Sequence, residues 1–237
     1  MLKRTPDCFP TQSRIALLRA FLSRCFSNPW QTGAISPSGR ALAVEMARQV
    51  LPYERGTIVE LGSGTGAITA ALLDLGVSAD RLYLVERSPV FASILRVRFP
   101  GIRVVEGDAL RLSEYAERDG VKDVAVVVSG LPLRLIRRAK RAVILRQSFD
   151  VMEDSGSFIQ FTYNHRPPIA PSQTASLGLE ASCLGFIWRN LPPASIWRFR
   201  RSKSSLHSAF TSGFRLRHCL VGHDVSAARP VSPFDHE

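Results

Sequence analysis

The sequence predicts a doubly wound α/β fold, a mostly parallel sheet with helices on both faces and an antiparallel hairpin at its C-terminal side. Three observations predict it. Between residues 57 and 163, short apolar runs alternate with amphipathic stretches, and strands alternating with helices build βαβ units around a parallel sheet. The first run empties into Gly62-Ser63-Gly64-Thr65-Gly66, a glycine-rich strand-to-helix turn of the kind that opens nucleotide-binding α/β domains. Near the end, two strand-like runs are separated only by Pro192-Pro193-Ala194, a connection too short for a parallel crossover.

The elements come in this order. Pro37–Val50 reads as a helix ahead of the first strand, Thr57–Leu61. Gly66–Leu75 is the next helix and Arg81–Glu86 the second strand. Ser88–Phe99 is a helix with Ser88 as N-cap and Pro89 at the first helical position, where a missing N–H costs nothing. Arg103–Gly107 is the third strand. Val124–Ser129 is apolar and β-branched almost throughout, as a strand buried on both faces requires. Residues 134–150 read as a long basic helix. After the turn Glu153-Asp154-Ser155-Gly156 comes a fifth strand, Ser157–Tyr163. Phe186–Leu191 and Ser195–Arg201 form the closing hairpin.

At 237 residues, 45% hydrophobic and 22% charged, the chain has the composition of a globular protein and not of a disordered one. The expected organisation is an N-terminal helix and linker over 1–36, a catalytic domain over 37–201 and a disordered extension over 202–237. The longest charge-free run, Cys25–Gly39, contains Ser, Asn, Gln, Thr and two prolines, so no segment reads as a membrane span. The four cysteines have no CxxC spacing, which indicates neither a zinc site nor a disulfide framework. His207, His218, Cys219 and His223 match no ligand spacing, so no metal is expected. The formal net charge is +11, which points to an anionic partner, a nucleic acid or a lipid surface.

The sharpest chemical signal is Val59-Glu60-Leu61-Gly62-Ser63-Gly64-Thr65-Gly66. The second strand then ends at Glu86, whose carboxylate can accept hydrogen bonds from both hydroxyls of a ribose. The third ends in Glu106-Gly107-Asp108-Ala109, where a carboxylate can take an adenine amino group. A dinucleotide fits less well. The glycines are spaced GxGxG instead of GxGxxG, and Glu60, two residues before the first of them, would repel a pyrophosphate and welcome an ammonium. The ammonium-bearing alternative is S-adenosylmethionine. The arrangement resembles the class I S-adenosylmethionine-dependent methyltransferases, with a Rossmann-like seven-stranded sheet whose last strand is antiparallel. The resemblance implies that Glu60 with Gly62, Ser63, Gly64, Thr65 and Gly66 holds the methionine part. Glu86 with Arg87 then holds the ribose, Asp108 with Ala109 the adenine, and Ser129 completes the cofactor set.

The substrate is read from the downstream segments. The fourth strand runs into Ser129-Gly130-Leu131-Pro132-Leu133. Methyltransferases acting on base amino groups resemble Asn-Leu-Pro-Tyr or Asp-Pro-Pro-Tyr here, with an acceptor for the exocyclic amine and an aromatic that stacks on the flipped base. Serine is a weaker acceptor and leucine offers no stacking face. Instead Thr32–Ser38, Phe161-Thr162-Tyr163 and Arg189-Asn190-Leu191-Pro192-Pro193-Ala194 with Ile196-Trp197 are similar to the bacterial PmtA-type phospholipid N-methyltransferases, over about residues 12–201. That family, related to the ribosomal RNA adenine dimethylases, methylates phosphatidylethanolamine stepwise toward phosphatidylcholine. The resemblance implies a cytoplasmic enzyme, peripheral on the inner face of the bacterial membrane. Tyr163 and His165 are the candidate catalytic residues, and Arg189, Arg166 and Leu131 the candidate substrate contacts.

A lipid surface also follows from the residues themselves. In Thr11–Ser27, Ile15, Leu18, Leu22, Cys25 and Phe26 share one helical face, flanked by Arg14, Arg19 and Arg24, a pattern that lies in an anionic interface or packs on the domain. Trp30 would serve as an interfacial anchor. Arg134–Arg146 holds six basic residues and no acid; it can bind lipid phosphates or RNA. Two other readings stay open: an RNA adenine N6-methyltransferase, and a membrane-binding module with a vestigial fold, which the intact Glu60, Gly62–Gly66, Glu86 and Asp108 set opposes.

Overall fold

The computed structural model describes residues 37–188, 190 and 192–202. The Thr11–Ser27 helix, Trp30, Thr32–Ser36, Arg189, Leu191 and the extension beyond Ser202 lie outside the described residues.

The elements run α1 Pro37–Arg48, β1 Thr57–Leu61, α2 Ala67–Asp74, β2 Leu82–Glu86, α3 Pro89–Arg98, β3 Arg103–Glu106, α4 Leu112–Arg118, β4 Val124–Ser129, α5 Arg138–Val151, β5 Met152–Thr162, α6 Pro171–Ser176, β6 Leu179–Ile187 and β7 Ala194–Arg201. They build one seven-stranded sheet in the order β3-β2-β1-β4-β5-β7-β6. β1 to β5 are parallel, and β7 is antiparallel to both β5 and β6. The order reverses direction at β1/β4, the switch point at which such sheets bind ligands beyond their carboxyl ends.

Each face of the sheet carries a core. On one, Leu42, Ala43, Met46 and Ala47 of α1 pack with Ile58, Leu84, Leu95, Val126 and Ile159. On the other, Val59, Val85, Val127 and Phe158 pack with Leu112 and Tyr115 of α4 and Ile144, Leu145 and Phe149 of α5. Alternate residues of β1, β2 and β4 thus divide between two apolar layers, which is why these strands read as continuous apolar runs.

Several expected boundaries are corrected. Glu153–Gly156 is no turn ahead of the fifth strand but an irregular stretch inside β5: Val124 pairs with Met152 and Val126 with Ser157, so the extra residues bulge out. The basic helix starts at Arg138, because Leu133–Leu135 forms a separate 3-10 turn followed by an extended Ile136. The first hairpin strand is Leu179–Ile187, not Phe186–Leu191. It is an edge strand and mostly exposed; its alternation of Leu179, Ala181 and Cys183 with Glu180 and Ser182 is only weakly apolar beside the run Phe186-Ile187-Trp188, whose first two residues close the strand. Helices α4 and α6 were not anticipated. α4 buries Leu112, Tyr115 and Ala116 at i, i+3 and i+4, a helical spacing hidden in a short charged segment. The Ser88 cap is as expected: its Oγ accepts from the Phe91 N–H, with Pro89 at the helix start.

Candidate active site

The crevice at the carboxyl ends of β1 and β4 is built by backbone. The Gly62 N–H donates to the Val85 carbonyl (2.8 Å) and the Gly130 N–H to the Leu61 carbonyl (2.8 Å), fastening the loop after β1 to both neighbouring strands. A Cβ at residue 130 would sit 2.7 Å from the Gly62 carbonyl oxygen, so only glycine lets these turns approach. Gly66 opens α2 in the left-handed region at φ 81°, which favours a residue without Cβ. Beside it Gly64, where a Cβ would meet nothing within 4 Å, borders open space.

Two carboxylates organise this loop. Glu86, at the tip of β2, accepts the N–H of Gly64 on Oε2 (2.9 Å) and that of Ser88 on Oε1 (2.8 Å), and is nearly buried. Each of these oxygens keeps a further lone pair for a hydroxyl donor. Glu60 is fully buried on β1. Its Oε2 accepts the Thr69 hydroxyl at 2.7 Å, while Oε1 has no hydrogen-bond partner among the described residues. Burial pushes its pKa up to about 7, against the opposing effects of the Thr69 and Ser63 hydroxyls. A buried carboxylate with an oxygen left without a hydrogen-bond partner among the described residues, beside an open glycine turn, suits a cationic donor. That fits the α-ammonium of S-adenosylmethionine and does not fit a pyrophosphate.

Asp108 follows β3. Its Oδ1 accepts the Leu110 N–H (3.0 Å), capping the short helix Ala109–Arg111, and its Oδ2 lies 3.7 Å from Arg87 Nη1. Arg87 is largely exposed and pairs with this acid. Ala109 is buried. Tyr115 packs under Gly107, where a Cβ would fall 2.5 Å from its ring, and its hydroxyl accepts the Asp108 N–H at 3.3 Å. Ser63 is buried, its hydroxyl close enough to the Glu60 carboxylate to favour the ionised form, and Thr65 is half-buried.

Across the switch point, Ser129 is fully buried, pairs with Leu61 on β1 and Gln160 on β5, and its Oγ accepts the Leu131 N–H at 3.3 Å. The Leu131 side chain lies against Gly62, and its carbonyl accepts Gln160 Nε2 at 3.0 Å. Tyr163 stands one residue beyond β5, half-buried and edge-on to Phe161 with ring centroids 5.4 Å apart. His165 is exposed, its ring 6.5 Å from that of Phe186. Arg166 donates its backbone N–H to Asn164 Oδ1 at 2.9 Å.

The fold thus gathers Glu60, residues 62–66, Glu86, Asp108, Ser129, Leu131 and Tyr163 along one edge of the sheet. His165 and Arg166 sit further out on the loop after β5. Sequence reasoning missed Thr69, whose placement in the first turn of α2, nine residues after Glu60, was a usable signal. It also missed Gln160, whose Oε1 is buried without a partner. A third omission was the chain from Trp197 Nε1 to Ser195 Oγ (2.8 Å) and on to the Asn164 carbonyl (2.5 Å), which ties the post-β5 loop to β7. No pairwise spacing in the sequence predicts that link.

Fold and site together define a class I S-adenosylmethionine-dependent methyltransferase. The N-methyltransferase NodS from Bradyrhizobium japonicum, solved with S-adenosylhomocysteine, has this fold: TM-score 0.56 at 17% identity, over 77% of this chain and 97% of that one. No family model matches the chain. It is 32% identical over 189 residues to the ornithine lipid N-methyltransferase of Singulisphaera acidiphila, covering 78% of this chain and 96% of that relative. It is also 36% identical over 102 residues to a probable ribosomal RNA small subunit methyltransferase A of Halobacterium salinarum, but spans only 35% of that protein. The chain belongs to the family of the former and is an S-adenosylmethionine-dependent N-methyltransferase. Among the described residues no helix is long and apolar enough to cross a membrane.

Proposed function

We propose that this enzyme methylates the amino group of a polar membrane lipid, working from the membrane surface. The observation that carries the reading is the near full-length similarity to a lipid N-methyltransferase. An ornithine lipid is the amine that this relative favours. Phosphatidylethanolamine and its mono- and dimethyl derivatives are the amines favoured by the Arg189–Ala194 stretch with Ile196-Trp197. The RNA reading is weakened by the turn after β4. There a serine, whose Oγ already accepts the Leu131 N–H, stands in place of the amide, and Leu133 is 1% exposed, so neither an amide acceptor nor a stacking ring is offered to a base.

In this reading Glu60 Oε1 receives the cofactor's ammonium, Glu86 the ribose hydroxyls and Asp108 the adenine amino group. When bound, S-adenosylmethionine supplies an electrophilic methyl on sulfonium. The protein's task is to present a neutral, aligned nitrogen, so positioning and exclusion of water carry the rate. Leu131 and the Ser129–Gly130 turn form the floor. Tyr163 orients the amine through its hydroxyl and steadies the methylated cation with its ring. His165, on the solvent side, takes the proton that the ammonium must lose. Arg166 and Arg189 hold the lipid's anionic group.

The test is methyl transfer from labelled cofactor to detergent-dispersed phosphatidylethanolamine, ornithine lipid and ribosomal RNA, with products separated by chromatography. Label in either lipid supports the reading and names the amine. Label in RNA alone, from protein that binds the cofactor, refutes it.

A further inference from the structure

Outside the crevice, exposed apolar side chains group along α3, at Val90, Ile94 and Val97, and at a second place that carries aromatics and adjoins arginines. Leu135 is 66% exposed, Phe186 45% and Trp188 76%. Leu135 follows β4 and Trp188 follows β6, and β6 is parallel to β5 because both pair antiparallel with β7. All three therefore project at the carboxyl edge of the sheet, where the candidate site lies.

Contacts link the arginines beside Leu135 to the loop that reaches Phe186 and Trp188. Arg134 Nη1 donates to the Pro167 carbonyl (3.4 Å) and Arg141 Nη1 to that of Pro168 (3.2 Å). One residue earlier the exposed Arg166 begins the run back to His165, whose ring faces Phe186. Phe186 in turn stacks on Trp188, with centroids 6.1 Å apart and 26° between planes.

The strip is basic and uncompensated. Among the described residues none of Arg134, Arg137, Arg138, Lys140 and Arg141 has a carboxylate within salt-bridge distance. Arg141 Nε is buried with no partner, and burial together with the neighbouring charges of Arg134 and Arg138 lowers that guanidinium's pKa. Cations crowded without counter-charge are stabilised by an external anion. Phe186 and Trp188 also border an open groove against α1, with Ala41, Val44, Glu45 and Leu184; exposed apolar tips with a tryptophan at the rim and arginines alongside match the headgroup layer of a bilayer.

We propose that this strip is the surface by which the enzyme rests on an anionic bilayer. The arginines lie at the lipid phosphates, and Leu135, Phe186 and Trp188 reach below them. The inference rests on the lipid reading above and adds to it the orientation of the domain: the amine site opens toward the membrane plane.

The experiment uses the full chain. Trp30→Phe leaves Trp188 and Trp197 as the emitters, and Trp197 is half-buried with its Nε1 already bonded to Ser195. Vesicles of phosphatidylglycerol and phosphatidylcholine with brominated acyl chains should quench the emission and shift it blue. Trp188→Phe in the same background should abolish both effects. Arg134→Gln, Arg137→Gln and Arg138→Gln should each weaken vesicle binding about five-fold, and together on the order of a hundred-fold. Cofactor binding and methyl transfer to lipid in detergent micelles should persist in all these variants, which shows that they are folded. Unquenched Trp188 on vesicle-bound, micelle-active protein would overturn the proposed face, as would failure of the micelle-active chain to bind anionic vesicles. Absence of transfer in micelles would instead refute the lipid-amine reading.

Discussion

Glu60→Gln isolates the most unusual group in the protein. Glutamine keeps the shape and can still accept from Thr69, but it cannot ionise. In the free enzyme the Glu60 pKa lies near 7, raised from 4.5 chiefly by burial. A carboxyl whose folded pKa is raised stabilises the fold fully below its unfolded pKa and loses that contribution as pH rises through the folded value. A carboxyl raised from 4.5 to about 7 carries about 3 kcal/mol, lost between roughly pH 4.5 and pH 7. Urea unfolding of the cofactor-free enzyme at pH 5, 6, 7 and 8 should show that decline, and Glu60→Gln should lack it. Cofactor affinity should move the opposite way. Glu60 must ionise to receive an ammonium, so binding releases close to one proton at pH 6, and affinity rises roughly five-fold by pH 7.5 before the α-amino group itself deprotonates near pH 8. Calorimetry in buffers of different ionisation enthalpy counts that proton. A wild-type stability profile identical to that of Glu60→Gln, with no proton released on binding, would refute both the buried-acid assignment and its role toward the ammonium.

Three further outcomes are expected. Gly66→Ala drives a Cβ into the Phe99 ring at a φ of 81°; strain and overpacking together should cost about 3 kcal/mol in urea unfolding. Asp108→Ala removes the cap on Ala109–Arg111, at about 1 kcal/mol, and should weaken cofactor binding about ten-fold by calorimetry, whereas loss of the largely exposed ion pair with Arg87 should contribute little. Tyr163→Phe should leave cofactor affinity unchanged and lower turnover about ten-fold; full turnover would remove the hydroxyl from the mechanism and leave only the ring.

Legibility in the sequence tracks the range of the forces involved. The β1 turn and Glu86 each lie at the end of a buried apolar run, so periodicity located them; the post-β3 acid follows an edge strand with only Val105 buried and was located by its adjacency to Gly107. Strand β6 could not be read that way. Its residues are mostly exposed and it exists because β7 pairs with it, a partner chosen by tertiary structure. The bulge in β5 has the same origin: Glu153-Asp154-Ser155-Gly156 has turn composition, and only the register against β4 keeps it inside a strand. Glu60 shows both sides of this division. Its position before the glycines suggested an ammonium receptor, but its unpartnered oxygen and raised pKa come from the packing of β1 between two apolar layers, which no local window contains.

The turn after β4 links the site to its proposed surroundings. An enzyme that acts on a flipped base must accept a whole planar ring, and so needs an acceptor and a stacking face at the carboxyl end of β4. Here Ser129 is turned inward onto its own loop, Gly130 is clamped against Gly62, and Leu133 is packed into the core. The chain leaving β4 instead sends Arg134 and Leu135 outward. On the lipid reading proposed above, the site takes an amine on a slender tether and leaves the bulk of the substrate outside. For a lipid that division is natural, since the acyl chains stay in the bilayer and only the headgroup nitrogen enters the crevice. On that reading, specificity between one amine and another falls to the proposed mouth residues, Tyr163, His165 and Arg166. Exchanges there should change which lipid is methylated while leaving cofactor affinity unaltered, and a parallel loss of both would place the substrate elsewhere.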